Sequence, residues 1–475
     1  MFRIAIVGGG PGGLMAAYLL EKSRKCPLDI TLFEASSRLG GKIVTQRFQS
    51  APIPYEAGAA ELYDYSQLGP DPLRQLIAEL GLSTQPMDGS AVVLEDNILK
   101  SAADFAREFG DEAGKALQRF HQQARAAISP AEYYESDWKE DNRDPMARRS
   151  FHDLLASVPN AAARKYVKTL VHSDLATEPH ETNAVYGLQN YLMIEDDYMQ
   201  LYTIEGGIEE LPKALARRIN ARVRLNHEVR RVEKAGANEY RVTYRRAGRT
   251  ESDLFDFVVV ALPNNWIPAV EWGGDRLAEA MHAHHKHYDY PAHYLRVSIL
   301  FERPFWRDWI DDSYFMSDAF GGCCLYDESA RDMGSEAGGV LGWLLGGDAA
   351  LSLANLSDAE LIARVLDSLP TVMRHGAKLF REGHVHRFVG AVNGMPGGFP
   401  MLDPKTRHRP EPVDHSRLFV VGDYLFDSTL NGVLDSAEVV ADAVTDDIDA
   451  QLRQQAAAAP MLNLGVSLPI AATVK

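Results

Sequence analysis

Cysteine is scarce in this chain, with three in 475 residues, at positions 26, 323 and 324. The adjacent pair could form only a strained disulfide, and no spacing among the three suits a metal. The expectation is reduced structural thiols in a cytoplasmic protein. Long apolar runs are also missing. No stretch of 18 apolar residues occurs, so no membrane-spanning segment is expected. The opening "MFRIAIVGGG" runs straight into a strand pattern and leaves no room for a secretory leader. Basic residues are in deficit, 49 Lys and Arg against 66 Asp and Glu, for a formal net charge of −17. That balance argues against nucleic acid and anionic membrane surfaces as partners, because both reward clustered positive charge. Neither G-x-S-x-G nor a catalytic Cys–His signature is found, which leaves hydrolase chemistry without support. The histidine-rich "HAHHKHYDYPAH" (282–293) lacks zinc spacing and reads as a solvated helix face, with no metal expected.

What remains is an ordinary globular composition, 46% hydrophobic and 24% charged, in a chain long enough for two or three domains. "FRIAIV" (2–7) is a buried-strand pattern, residues 13–23 suit a helix, and "DITLFEA" (29–35) is a second strand ending in an acid. Together they form a βαβ unit. Helical texture follows from about 70 to 200, with Ser150 a plausible N-cap and 133–145 an exposed loop. Strand patterns return at 222–262 and 294–306, and a helix is expected near 358–370. The segment 417–444 reads as strand, loop, helix. The tail 451–475 reads as a surface or disordered extension that leaves room for a homodimer contact.

Gly8, Gly10 and Gly13 satisfy G-x-G-x-x-G between the first strand and its helix. The first permits the tight turn, the second lets backbone approach a pyrophosphate, and the third lets helix and strand pack closely. The diphosphate would meet the helix N-terminus. Glu34 lies 21 residues after Gly13, where a carboxylate can accept both ribose hydroxyls. NAD and FAD both suit this fingerprint. The following "EASSRLGGK" (34–42), with a second glycine pair and a base, favours FAD: a flavoprotein must fold its chain back beneath the diphosphate.

In "GGGPGG", "EASSRLGGK", "EAGAAEL" (56–62), "IEGGIEELPKAL" (204–215), "HEVRRV" (227–232), "DFVVVALP" (256–263), "LRVSILFERPFW" (295–306) and "VVGDYLFDSTLNGVLDSAEVVA" (420–441), the chain resembles the flavin-containing amine oxidase family. That family includes monoamine and polyamine oxidases, L-amino-acid oxidases and tryptophan oxidases of pigment pathways. The resemblance implies an α/β fold. A glutathione-reductase-type FAD domain would be assembled from 1–85, 203–265 and 405–450. A substrate domain of mixed sheet and helices would take 86–202 and 266–404, its helical part at 100–200. It also implies the cofactor contacts. Gly8, Gly10, Pro11, Gly12 and Gly13 would serve the diphosphate, with Glu34, Ala35 and Arg38 at the ribose side. Gly41, Lys42, Gly58, Ala59 and Ala60 would face the flavin. Val229 and Ala261 would line the adenine side. Gly422 and Asp423 would meet the ribitol–diphosphate, and Asn431, Gly432 and Val433 would begin a helix pointing at the flavin.

Three departures from the family pattern bear on chemistry. A lysine near flavin N5 in many members is Arg296 here, which stays protonated and cannot act as a base near neutral pH. The loop that carries a flavin-linking cysteine in some members is "NGMPGGFPML" (393–402), so FAD should bind non-covalently. The paired aromatics around the substrate amine are incomplete: one falls at Thr429, and Phe399 or Met395 is nearest the other. Tyr191 and Tyr202 fall where members line the substrate channel. Where L-amino-acid oxidases clamp a carboxylate with arginine, this chain has Glu61. The expectation is therefore an oxidase taking a small amine, amino-acid derivative or amide with O2, with Glu61 and Arg296 facing substrate beside Tyr191, Phe399 and Thr429. The alternatives are a carbon–carbon desaturase of the carotenoid or porphyrinogen type, and a flavin-binding protein without oxidase activity.

Overall fold

The first strand, Phe2–Val7, buries nearly every side chain, as expected of a strand covered on both faces. In the computed structural model, which describes residues 1–67, 69–135, 145–331, 338–397, 402–426 and 428–458, it is the middle of a five-stranded parallel sheet. The order is Arg222–Arg224, Leu28–Phe33, Phe2–Val7, Phe257–Val260, Leu418–Val420. Val7 is in register with both Phe33 and Val260. Helix Pro11–Ser23 and the 29-residue helix Leu430–Ala458 pack together over one face. A four-stranded sheet, Arg249–Phe255, Glu239–Arg246, Glu228–Gly236 and Glu271–Trp272, covers the other.

The second large sheet has seven strands, in the order Phe380–Asn393, Pro291–Phe301, Gly339–Gly346, Cys323–Asp327, Tyr314–Ser317, Val92–Leu94, Asn97–Leu99. It is antiparallel except where Tyr314–Ser317 runs parallel to Val92–Leu94. The mixed sheet and the parallel nucleotide-type sheet together give the expected α/β class. Among the described residues between 102 and 192 the chain is mainly helical, around a core that includes Phe105, Phe120, Phe151 and Leu188. Ser150 caps helix Phe151–Ala156 as expected, its Oγ accepting the Asp153 N–H at 3.1 Å. Helix Asp358–Asp367 starts in a full capping box between Ser357 and Glu360.

Three local expectations change. Residues 282–287 do end a helix, Asp275–His287, but His284 is buried, with Nε2 3.2 Å from the Tyr424 hydroxyl. One turn of that helix faces the core, so the histidine run is not wholly a solvated face. The loop expected at 133–145 begins inside helix Pro130–Glu135, with Tyr133 buried; residues 136–144 lie outside the described residues. The helix that begins at Leu430 runs through position 451 to Ala458, and 459–475 lie outside the description. No helix among the described residues is long and apolar enough to cross a membrane.

Candidate active site

The parallel sheet ends in a long cleft of about 520 Å³. Gly8 turns the chain at φ +112°, and a Cβ on Gly13 would lie 2.0 Å from the Gly8 carbonyl oxygen. Any larger residue would pry the helix from the strand. Helix Pro11–Ser23 starts from Gly10 with no side-chain cap and no acid in its first turn, which leaves its N–H groups and positive dipole end to an anion. Glu34 is fixed at the wall, Oε2 accepting from Gly9 N–H and Oε1 from Ser36 N–H, both at 2.8 Å. Gly10, Pro11, Gly12, Ala35, Gly41 and Lys42 line the cleft, and Val229, Ala261, Gly422, Asp423 and Val433 complete it. Arg38 also lines it, with its guanidinium donating to the carbonyls of Leu39 and Ile43 at 3.1 and 3.3 Å. Gly13 supports the cleft from behind. Gly432 lines neither cavity: its N–H donates to Thr429 Oγ1 at 3.0 Å. Trp266, which the sequence reading did not single out, stands on the rim with 58% of its surface exposed. An uncapped helix end in mid-cleft and a carboxylate at its side fit a dinucleotide such as FAD.

A second cavity of about 190 Å³ adjoins the first and shares Pro11, Lys42, Asp423 and Val433 with it. Lys42 Nζ reaches Asp423 at 3.2 Å and the Ala391 carbonyl at 2.8 Å, tying three distant segments together at the junction. The Gly58 turn packs against this loop so closely that a Cβ there would lie 1.9 Å from the Lys42 carbonyl oxygen. Gly58, Ala59, Ala60 and Glu61 form one wall, Thr429 and Asn431 another, and Arg296 a third. Tyr63, Tyr294, Tyr326 and Phe388 supply aromatic surface. No cysteine lines either cavity among the described residues.

Arg296 projects from strand Pro291–Phe301 and is 1% exposed. Its Nε donates to the Glu56 carbonyl and its Nη2 pairs with Glu328 Oε1. Burial alone would lower its pKa, but Glu328, together with Tyr326 and Glu56, outweighs burial and holds the guanidinium above its usual range. On the neighbouring strand, His386 lies opposite Arg296. Burial, helped by the charges of His384 and Arg296, pulls it down to about 4. Asp174, at the end of helix Ala161–Leu175, has its carboxyl pushed well above the carboxylate range by burial and then by the Glu61 charge. The Tyr294 hydroxyl donates to the Asp174 carbonyl at 3.3 Å. Burial raises the hydroxyls of Tyr63 and Tyr294 well above 10, so both remain neutral donors.

Tyr191 does not line the cavity. It is buried in the helical core, edge-on to Phe120 at 4.9 Å, with its hydroxyl 3.5 Å from His121 Nδ1. Helical spacing placed it on an apolar stripe, and that stripe packs against helix Asp111–Ala127. Tyr202 is likewise buried, with the Arg74 guanidinium over its ring at 4.4 Å. Phe399 lies outside the described residues, and Met395 is buried without lining the cavity. The residues that sequence reading missed are Tyr63, Tyr294, Tyr326, Phe388, Asp174 and Glu328. Period-two alternation would have found two of them, since Tyr63 and Tyr294 lie two positions from Glu61 and Arg296. The rest carry no local signal.

The profile of a family described as flavin containing amine oxidoreductase matches residues 11–445. The L-amino-acid oxidase of Mus musculus is 24% identical over 460 residues, covering 89% of this chain and 67% of that protein. The L-amino-acid oxidase of Pseudechis australis is 23% identical over 273 residues, covering 54% of this chain and 50% of that protein; the match thus spans half the length of this relative. In fold, the chain is similar to a double mutant of putrescine oxidase, with a TM-score of 0.71 at 18% identity, over 94% of this chain and 99% of that one.

Proposed function

The chain belongs to the flavin-containing amine oxidoreductase family, and from that premise we propose that it oxidises the carbon next to nitrogen in a small amine or amide-type substrate, using non-covalent FAD and O2. The portions 1–85, 203–265 and 405–450 hold the cofactor in this reading, and 86–202 with 266–404 hold the substrate. When bound, FAD takes up the hydride lost by the substrate carbon and returns the electron pair to O2 as hydrogen peroxide.

The protein's part is placement. The Gly58–Ala60 backbone forms the floor against which the substrate C–H is presented, and the tyrosine walls exclude water around it. Arg296 stays charged and takes no proton, so no side chain is assigned as general base. Glu61 selects the substrate: it stands in the same cavity wall as the Gly58–Ala59 turn, among Tyr63, Tyr294 and Tyr326, and it is the observation that carries this reading. A carboxylate there would meet a free α-amino acid's own carboxylate with repulsion. It would hold an ammonium or an N–H donor. The likeness in fold to putrescine oxidase is compatible with a cationic amine of that kind.

The test is anaerobic reduction of the FAD-loaded protein with a panel of amines, free amino acids, and N-acyl or esterified amino acids. Loss of the oxidised flavin absorbance with an amine or derivative is expected, followed by peroxide on readmission of air. A FAD-loaded protein that no member of the panel reduces overturns the proposal.

A further inference from the structure

The Glu56 peptide, which leads into the Gly58 turn, is gripped at both ends by one ion pair. Its carbonyl accepts from Arg296 Nε, and its N–H donates to Glu328 Oε2 at 2.6 Å. The other oxygen of Glu328 pairs with Arg296 Nη2, which closes a ring of three contacts. The Glu56 side chain is held as firmly. Its carboxylate accepts the Ile208 N–H and the Thr45 hydroxyl, both at 2.8 Å. Glu56 and Glu328 are fully buried and Arg296 is 1% exposed. The neighbouring strand leaves room for the pair: a Cβ on Gly342 would lie 2.7 Å from Glu328 Oε1 and 3.4 Å from Arg296 Nη2. The Tyr326 ring covers the guanidinium at 4.9 Å.

We infer that Glu328 is a positioning residue: with Arg296 it clamps the Glu56 peptide so that the Gly58–Ala60 backbone is set against the cofactor, and it neutralises the arginine charge that the cofactor would otherwise meet. A buried ion pair adds little net stability over well-packed apolar residues, so retention of three buried charges at this turn calls for a reason beyond stability. Placement supplies one. Two hydrogen bonds fix the N–H and the C=O of one residue, and so two successive peptide groups, two residues before a glycine that packs closely on the Lys42 loop. Charge supplies the other. Arg296 lines the same cavity as Gly58 and Ala59, where little water screens it, and Glu328 is its direct counter-ion.

The inference rests on the cavity being the flavin and substrate site, and its readouts do not require the substrate to be known. The experiment compares the flavin midpoint potential and visible spectrum of the FAD-loaded wild type with those of Glu328→Gln, Glu328→Asp, Arg296→Lys and Gly342→Ala. Glu328→Gln removes the directly paired counter-charge of Arg296 and leaves only the more distant Glu56 carboxylate, so the potential shifts positive, and Glu328→Asp restores most of the wild-type value. Arg296→Lys keeps the charge but loses the double hold. Its potential stays near wild type while its visible flavin spectrum changes, because the backbone behind Gly58 is no longer held in place. Gly342→Ala retains both charges, crowds their contact and alters the spectrum, which keeps the inference open to test if Glu328→Gln does not fold. An unchanged potential in a folded Glu328→Gln protein overturns the charge role. An unchanged spectrum in both Arg296→Lys and Gly342→Ala overturns the clamp. Wild-type protein that takes up no FAD overturns the cofactor reading itself, an outcome distinct from either.

Discussion

The two cavities share Lys42 and Asp423 but are built from different materials. The long cleft is a backbone device. Glycines permit its turns, amide groups face its middle, and the Glu34 carboxylate stands at its side. The smaller cavity is made largely of side chains from segments far apart in sequence, with Glu61, Arg296 and four aromatic rings around it. A backbone site tolerates little change of size at its glycines and much change elsewhere. A side-chain site can be re-specified one residue at a time without losing the cofactor.

The strongest way to break this contrast is Gly58→Ala, because Gly58 lines the smaller cavity while packing on Lys42, which borders both. The new methyl would sit 1.9 Å from a backbone oxygen, and the strain of about 3 kcal/mol should abolish FAD uptake, read from the flavin absorbance of purified protein. Normal FAD content would show that the turn yields and that backbone contact does not define the junction. Next is Glu61→Gln. It should leave FAD content unchanged and lower kcat/KM for a cationic amine about ten- to hundredfold, the loss of one charge-assisted hydrogen bond. Glu61→Arg should improve turnover of a free amino acid relative to wild type. No change in any kinetic constant would place Glu61 outside the substrate contact.

Asp174 sharpens the electrostatic half of the comparison. Its carboxyl is raised in the folded protein, so the fold binds a proton more tightly there than the unfolded chain does. That contribution to stability is fully present below the unfolded value of about 3.9 and is lost as pH rises through the folded value. Asp174→Asn should therefore raise Tm by about 2 °C or more at pH 8, with the gain vanishing near pH 4. A gain of the same size at both pH values would show that the residue is not titrating. The smallest expected effect is that of Tyr191→Phe. Its hydroxyl is in the helical core, so KM should stay within about twofold and stability should fall by no more than about 1 kcal/mol. A large rise in KM would return Tyr191 to the channel.

The same contrast explains what could be read in advance. Gly8, Gly10, Gly13 and Glu34 announce the cleft because a tight turn, a close approach and a ribose acid impose residue types at fixed local spacing. The sheet around them was legible in the unbroken apolar runs of 2–7 and 257–260. Glu61 and Arg296 were found by their place in longer motifs. Tyr326 and Phe388 reach the same cavity from strands whose pairing no local pattern states. Glu328 was silent because a lone glutamate after a strand looks like surface until Arg296 is seen beside it. Tyr191, placed by resemblance, and His284, placed by composition, differ for a related reason: neither kind of reading states which neighbour a helix face meets.

The position of the first strand constrains how the protein can be made. Phe2–Val7 occupies the middle of its sheet, yet its neighbour Phe257–Val260, and Leu418–Val420 beyond that, come much later in the chain. The Lys42 tether at the cavity junction closes on Asp423, 381 positions later. Until Phe257–Val260 has been made, Phe2–Val7 carries an open, apolar strand edge that can pair with the wrong partner. A chain halted between these strands would hold the glycine turn of the cleft without the wall that closes it.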